Sequence, residues 1–133
     1  MRNIFPGLML GLVLLFSSCG RDEKNDVDIA GKGGNATMRI SPVHGASEVI
    51  EGCILYLKYN SQDKPSDDRY DETVACTMVD GHPQGSFTGL KKGDYYIFGK
   101  GYNPDHGDTV KGGYPYHIDD DQKTYDITLN LGH

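Results

Sequence analysis

Alternation of apolar and polar residues with a period of two dominates this chain. The clearest example is the stretch 123–131, in which one face carries only apolar or aromatic side chains from residue 125 onward, namely Tyr125, Ile127, Leu129 and Leu131. Such alternation is typical of a strand with one face in the core and the other in water. The pattern therefore predicts a β-strand here, with this face buried.

The same reading predicts seven strands in the chain. They cover residues 36–41, 53–59, 72–79, 86–88, 94–100, 114–118 and 123–131. Two glycines, Gly89 and Gly93, surround the polar turn between the fourth and fifth strands, which is typical of a hairpin. Pro115 makes the sixth an edge strand, because proline has no N–H to donate to a neighbour. Short strands between Gly- and Pro-containing turns predict an all-β sandwich.

Alternation also predicts which side chains enter the core. The predicted inward positions are Ala36, Met38, Ile40, Cys53, Leu55, Leu57, Tyr59, Val74, Cys76, Met78, Tyr95 and Ile97. Leu90, beside two lysines in the hairpin turn, is predicted to cap one end of the sandwich, since a lone leucine there has little reason to be exposed unless it packs under the turn.

Two segments, 60–71 and 103–113, are predicted to be long polar loops. The first carries Tyr70 and the second carries His106. Loops on a rigid scaffold are where binding residues concentrate. We expect at least one of them to contact a ligand or partner, the alternative being that both are tolerated surface insertions.

The amino terminus has the pattern of an export signal. After Arg2 the segment 4–16 has no charge and is followed by two serines and Cys19; it is too short to span a bilayer. This resembles a bacterial lipoprotein signal, which implies removal of residues 1–18 and lipidation of Cys19. The charged residues 20–24 resemble the surface-export signal of Bacteroidota lipoproteins, which implies an outer-membrane protein facing the exterior; the alternative is that they are the ordinary charges of a solvated tether. Residues 19–35 are predicted to be a flexible tether and residues 36–133 the folded domain.

Composition narrows the range of partners. The chain has 13 basic and 19 acidic residues, a formal net charge of −6. This balance argues against nucleic acid as a partner, because nucleic-acid binding requires clustered Lys and Arg.

The aromatic composition is dominated by tyrosine: nine tyrosines and no tryptophan are present. Six aromatic residues are candidates for stacking against a glycan or peptide, namely Tyr56, Tyr96, Phe98, Tyr102, Tyr114 and Tyr116, although tyrosine is also an ordinary strand residue.

Candidate chemistry is sparse. Cys53 and Cys76 are predicted to face inward on neighbouring strands, either as a disulfide or as two buried thiols. The five histidines lack metal-ligand spacing, and the acidic clusters at 67–72 and 119–121 lack the spacing of an EF-hand loop. No nucleophile motif is present. We therefore expect no metal, no cofactor and no enzymatic activity.

Several landmarks together resemble a known family. Gly52-Cys-Ile-Leu-Tyr-Leu, Gly85-Ser-Phe-Thr-Gly-Leu, Gly93-Asp-Tyr, Gly101-Tyr and Tyr125-Asp-Ile-Thr-Leu occur in the order seen in carboxypeptidase regulatory-like domains. That resemblance covers residues 37–131 and implies a seven-stranded antiparallel Greek-key sandwich of the transthyretin-like, or prealbumin-like, type. Its motifs are structural and imply no activity. Transthyretin-related hydrolases of hydroxyisourate end in Tyr-Arg-Gly-Ser, which this chain lacks.

Two functions follow as expectations. The first is a lipid-anchored interaction or accessory module with a protein partner at the outer membrane, for instance in a nutrient-uptake or surface complex. The second is a direct glycan- or peptide-binding module that uses the exposed tyrosines. A concave aromatic surface would favour a ligand, and a flat one would favour a protein partner.

Overall fold

A computed structural model describes residues 28–45 and 49–133, and this part of the chain is all-β, without a helix. It contains eight strands. They are β1 (Lys32–Val43), β2 (Glu51–Tyr59), β3 (Glu72–Ala75), β4 (Thr77–Val79), β5 (His82–Leu90), β6 (Gly93–Asn103), β7 (Asp108–Ile118) and β8 (Thr124–Asn130).

The strands form two four-stranded sheets. The order in the first sheet is β4-β5-β1-β8 and in the second β3-β2-β6-β7. Neighbouring strands are antiparallel except β1 and β8, which run parallel, with Ile40 opposite Ile127. The predicted all-β class is thus confirmed, but the fully antiparallel arrangement is not, because the first and last strands lie side by side in the same direction.

One hydrophobic core lies between the sheets. The alternation predicted for β1, β2, β6 and β8 is confirmed at most positions. The predicted inward side chains are buried, apart from Tyr59 and Tyr125, which are half-buried against the core, while their neighbours are half-buried or exposed. Leu90 is also fully buried at the predicted position. The buried members from these strands are Ala36, Met38, Ile40, Cys53, Leu55, Leu57, Tyr95, Ile97, Ile127 and Leu129.

The segment 72–79 differs from its prediction as one strand. The chain crosses between the sheets at Cys76, so that β3 pairs with β2 and β4 pairs with β5. Met78, predicted to be inward, is 60% exposed. A change of sheet interrupts the alternation that a single strand would keep, which is why residues 28–45 and 49–133 contain eight strands instead of the predicted seven.

The segment 103–113 is mostly strand instead of loop. β6 continues to Asn103 and β7 begins at Asp108, so only a short turn separates them. The glycines of this segment indicated a loop, but Gly112 lies within β7 and allows close packing. A Cβ on Gly112 would lie 2.2 Å from the Asn130 carbonyl oxygen. β7 lies at the edge of its sheet, as Pro115 predicted.

The folded part starts earlier than residue 36. β1 begins at Lys32, and Ala30 is buried against Gly93, where a Cβ would lie 2.7 Å from the Ala30 nitrogen, so that only glycine allows this close approach. The predicted signal segment and Cys19 lie outside the described residues. Across the part of the chain that is described, no helix has the length and apolar character needed to cross a membrane.

A candidate binding cleft on the second sheet

The outer face of the second sheet carries aromatic residues because β2 and β6 alternate in register. Where Leu55 and Ile97 point into the core, Tyr56 and Phe98 point outward, and these two residues lie opposite each other across the strand pair. Phe98 also lies opposite Gly113 of β7, and the Tyr96 ring packs over this glycine. The sheet therefore presents several aromatic rings side by side on its outer face.

The 60–71 loop is anchored at both ends to the second sheet. The Asn60 N–H donates to the Asp94 carbonyl oxygen (2.8 Å) and the Asp71 N–H donates to the Leu57 carbonyl oxygen (2.8 Å). Gln62 Nε2 adds a bond of 2.9 Å to Asp94 Oδ1. These contacts hold a segment without regular structure in a defined position, where its side chains reach the outer face of the sheet.

Tyr70 of this loop completes a cluster of three rings. Its ring centroid lies 5.1 Å from that of Tyr56 and 5.9 Å from that of Phe98, and its plane is 14° from the Phe98 plane. Burial raises the pKa of Tyr70, and its hydroxyl is buried without a hydrogen-bond partner in the described structure. All three rings remain half-exposed. The loop thus adds aromatic surface to the sheet instead of sealing it.

Lysines surround the rings. Lys64 of the loop lies with Nζ 5.3 Å from the centre of the Phe98 ring and also pairs with Asp68. On the sheet, Lys100 of β6 lies directly opposite Lys111 of β7. The hydrogen bond from Lys64, with a smaller contribution from the charges of Lys100 and Lys111, lowers the pKa of Asp68. Three cationic groups therefore converge on one small region of an acidic protein.

We call this depression the aromatic-lysine cleft. Its volume is about 360 Å³ and its lining consists of Tyr56, Lys64, Asp68, Tyr70, Phe98, Lys100 and Lys111. A shallower depression of about 550 Å³ shares Lys100 with it and extends along the same face to Tyr102. Pockets that bind small ligands commonly have volumes of about 300–1,000 Å³. The cleft and its shallow extension suit an elongated ligand.

The structure separates the six aromatic candidates into two groups. Tyr56, Tyr96, Phe98 and Tyr102 lie on the outer face of the second sheet. Tyr96 packs over Gly113, and Tyr102 is 45% exposed at the shallow end. Tyr114 and Tyr116 lie on the other side of β7, opposite Ile97 and Tyr95, at the open edge of the sandwich. A single ligand in the cleft would therefore not reach this second pair.

His106 lies apart from the rings of the cleft. It occupies the turn between β6 and β7, where its ring centroid is 6.1 Å from that of His133; His133 in turn lies 4.9 Å from His44. His133 Nδ1 is 2.8 Å from Asp108 Oδ2. Within residues 28–45 and 49–133, no group of three or more His, Cys or acidic side chains is arranged to hold a metal ion.

Cys53 and Cys76 are brought together as free thiols. The Cys76 N–H donates to the Cys53 carbonyl oxygen at 3.0 Å. Interaction between the two side chains raises the pKa of Cys76 and lowers that of Cys53. The pair lies where the chain crosses between sheets, and the disulfide stays a prediction.

The lysines were not identified from the sequence, and Asp68 was considered only as part of the acidic cluster at 67–72. Lys64 and Asp68 are four residues apart in a polar loop, and charges in such loops are usually solvated. Lys100 and Lys111 become neighbours only through the β6–β7 pairing, which the prediction of a loop at 103–113 concealed. The alternation in β6 did predict that Lys100 points outward, and this was the only indication in the sequence that a lysine lies on the same face as Phe98.

No family model matches this sequence, and a search of curated proteins finds no match.

Proposed function

We propose that this chain is a non-enzymatic binding module and that the aromatic-lysine cleft binds a carbohydrate. The observation that carries this proposal is the convergence of three half-exposed rings, from β2, β6 and the 60–71 loop, on one concave surface. Flat rings with polar neighbours suit the apolar faces and hydroxyl groups of sugars. The concavity favours a ligand over a flat protein contact.

The position of the cleft on the face of a sheet also favours a carbohydrate over an extended peptide. Peptides that add a strand use the unpaired backbone of an edge strand. β2 and β6 are interior strands, paired on both sides. A ligand in the cleft would be bound by side chains, and rings flanked by amino groups recognise sugar surfaces and their substituents.

The cellular setting belongs to the same proposal. Lipidation of Cys19 and the tether that follows would hold a transthyretin-like Greek-key sandwich at the outer membrane, facing the exterior. There the module would deliver its ligand to a protein partner in a nutrient-uptake or surface complex. A second candidate function, direct contact with that partner, is favoured by the shallow extension at Tyr102, which is open and exposed.

Affinity electrophoresis in gels that contain xylan, galactomannan, arabinogalactan, polygalacturonate or dextran sulfate tests the proposal. At least one polysaccharide should retard the protein, and Tyr56→Ala or Phe98→Ala should reduce the retardation. Tyr114→Ala is the matched control, since it removes an exposed ring from the opposite side of β7. Folded protein that none of these polysaccharides retards, and that is recovered from its native membrane with a protein partner, would favour the second candidate.

A further inference from the structure

The arrangement of Lys100 and Lys111 is energetically unfavourable in the described structure. They lie directly opposite each other on adjacent antiparallel strands, both exposed on the outer face. Like charges in directly opposed positions destabilise a sheet. Among the described residues neither lysine pairs with a carboxylate, whereas Asp68, the acid that shares their cleft, pairs with Lys64. Their positive charge is therefore available to a bound group.

Lys64 brings a third ammonium group to the same cleft. Its hydrogen bond to Asp68 and its place over Phe98 orient it toward the rings. Because one of the three lysines is neutralised by Asp68, the lining of the cleft carries two net positive charges in a protein of net charge −6. Such local positive charge on an acidic protein selects for a negatively charged ligand.

We infer that the ligand of the aromatic-lysine cleft is an anionic carbohydrate, whose carboxylate or sulfate lies between Lys100 and Lys111 while a sugar ring contacts Phe98 and Tyr70. This inference rests on the proposed function and adds the charge of the ligand to it. A charged group between the two ammonium groups would offset their repulsion, and the rings would distinguish an acidic sugar from a small inorganic anion.

Two pairs of probes isolate the charge. Oligogalacturonate is compared with its methyl ester, and dextran sulfate with dextran, by isothermal titration against the full mature chain. The charged member of at least one pair should bind at least about tenfold more tightly than its neutral counterpart, since hydrogen bonds to charged groups are the stronger ones. The two pairs show whether carboxylate or sulfate is preferred, and affinity should fall as salt is added.

The lysine variants supply the matched comparison. The double variant Lys100→Gln/Lys111→Gln should bind the charged probe about tenfold or more weakly, because both ammonium groups are removed. Its thermal unfolding midpoint should be unchanged or higher, because the repulsion between the two lysines is removed as well. Lys92 is an exposed lysine in the β5–β6 turn and serves as the control. The Lys92→Gln variant should bind the charged probe as tightly as the original protein does.

The outcomes separate the inference from the proposed function. Equal affinity for charged and neutral members of a pair would overturn the inference and leave the carbohydrate proposal standing. Tighter binding of polyglutamate than of either acidic sugar probe would overturn it in favour of an acidic peptide. No binding of any of these probes, or of the neutral polysaccharides used in the gels, would overturn both.

Discussion

The Tyr95 hydroxyl lies in the core, where it joins the start of β1 to the β5–β6 turn. It accepts a hydrogen bond from the Gly31 N–H (2.9 Å) and donates one to the Lys91 carbonyl oxygen (2.7 Å). Its ring is fully buried, and burial raises its pKa. Alternation predicted the ring to be inside, but Gly31, which donates to its hydroxyl, is 64 residues away in sequence and this contact could not be predicted.

Tyr95→Phe should lower the free energy of unfolding by about 1–3 kcal/mol, because the buried Gly31 N–H would lose its acceptor. Chemical denaturation measures the change. Tyr102→Phe removes a hydroxyl from an exposed ring and should alter stability by less than about 0.5 kcal/mol. Equal effects of the two substitutions would mean that the Tyr95 hydroxyl is solvated.

Arg39 of β1 and Asp126 of β8 form an ion pair across the parallel strands, and this pair should be detectable in the titration of the Asp126 carboxyl group. Arg39 Nε lies 2.6 Å from Asp126 Oδ1, and Nη2 lies 3.1 Å from Oδ2. The hydrogen bonds from Arg39 lower the pKa of Asp126 below its ordinary value of 3.8. A lowered carboxyl pKa stabilises the fold above that ordinary value, and the contribution disappears as pH falls through the folded-state pKa.

NMR titration of the Asp126 carboxyl should therefore give a midpoint below 3.8 in the original protein and a higher one in Arg39→Gln. The matched stability measurement is acid unfolding. Between neutral pH and the folded-state pKa of Asp126, the Arg39→Gln variant should lose less of its free energy of unfolding than the original protein does. Identical midpoints in the two proteins would show that the ion pair does not persist in solution.

Among the elements, the predictable strands are those with one face in the core throughout. β2, β6 and β8 keep the period of two along their length, because burial on one side and water on the other act at every position. Only the second half of β7 was predicted, because Gly112 and Gly113 interrupt its pattern. These glycines make room for Asn130 and Tyr96, which pack directly against them. Glycines required by packing cannot be distinguished from turn glycines in one sequence.

The 60–71 loop is the element on which the candidate site depends. Its existence and length were predictable from its polar composition, and Tyr70 was singled out. Its fold over the sheet was not, because the bonds of Asn60 and Gln62 to Asp94 link positions far apart in sequence. Three of the seven lining residues, Tyr56, Tyr70 and Phe98, were therefore singled out from the sequence, and the three lysines were not.

Replacing residues 61–70 by a Gly-Asn turn should abolish carbohydrate binding and leave the sandwich folded. The deletion removes Tyr70 and Lys64, while the pairing of Leu57 with Glu72 keeps β2 and β3 aligned. Thermal unfolding and affinity electrophoresis give the two readouts. His106→Ala in the β6–β7 turn is the control and should bind normally. Full binding by the shortened protein would show that the loop is a spacer.

For the whole molecule, attachment to the membrane is predicted to depend on Cys19 alone. Cys19→Ala should leave the protein either unprocessed or in the soluble fraction and should abolish incorporation of labelled lipid, because acyl chains would provide the attachment. Cys76→Ala, which keeps the predicted anchor, should remain with the membrane. Unchanged partition and labelling of the Cys19 variant would contradict lipidation at this residue.

The central claim is that the outer face of the second sheet is where this protein binds its ligand. Amide chemical-shift mapping by NMR, on the mature chain titrated with oligogalacturonate, locates the contact directly. The account predicts the largest shifts in the 60–71 loop and around Phe98, Lys100 and Lys111, with little change in β8. Binding that shifts instead the residues around Tyr114, Tyr116 and β8 would place the site at the open edge of the sandwich and contradict the claim.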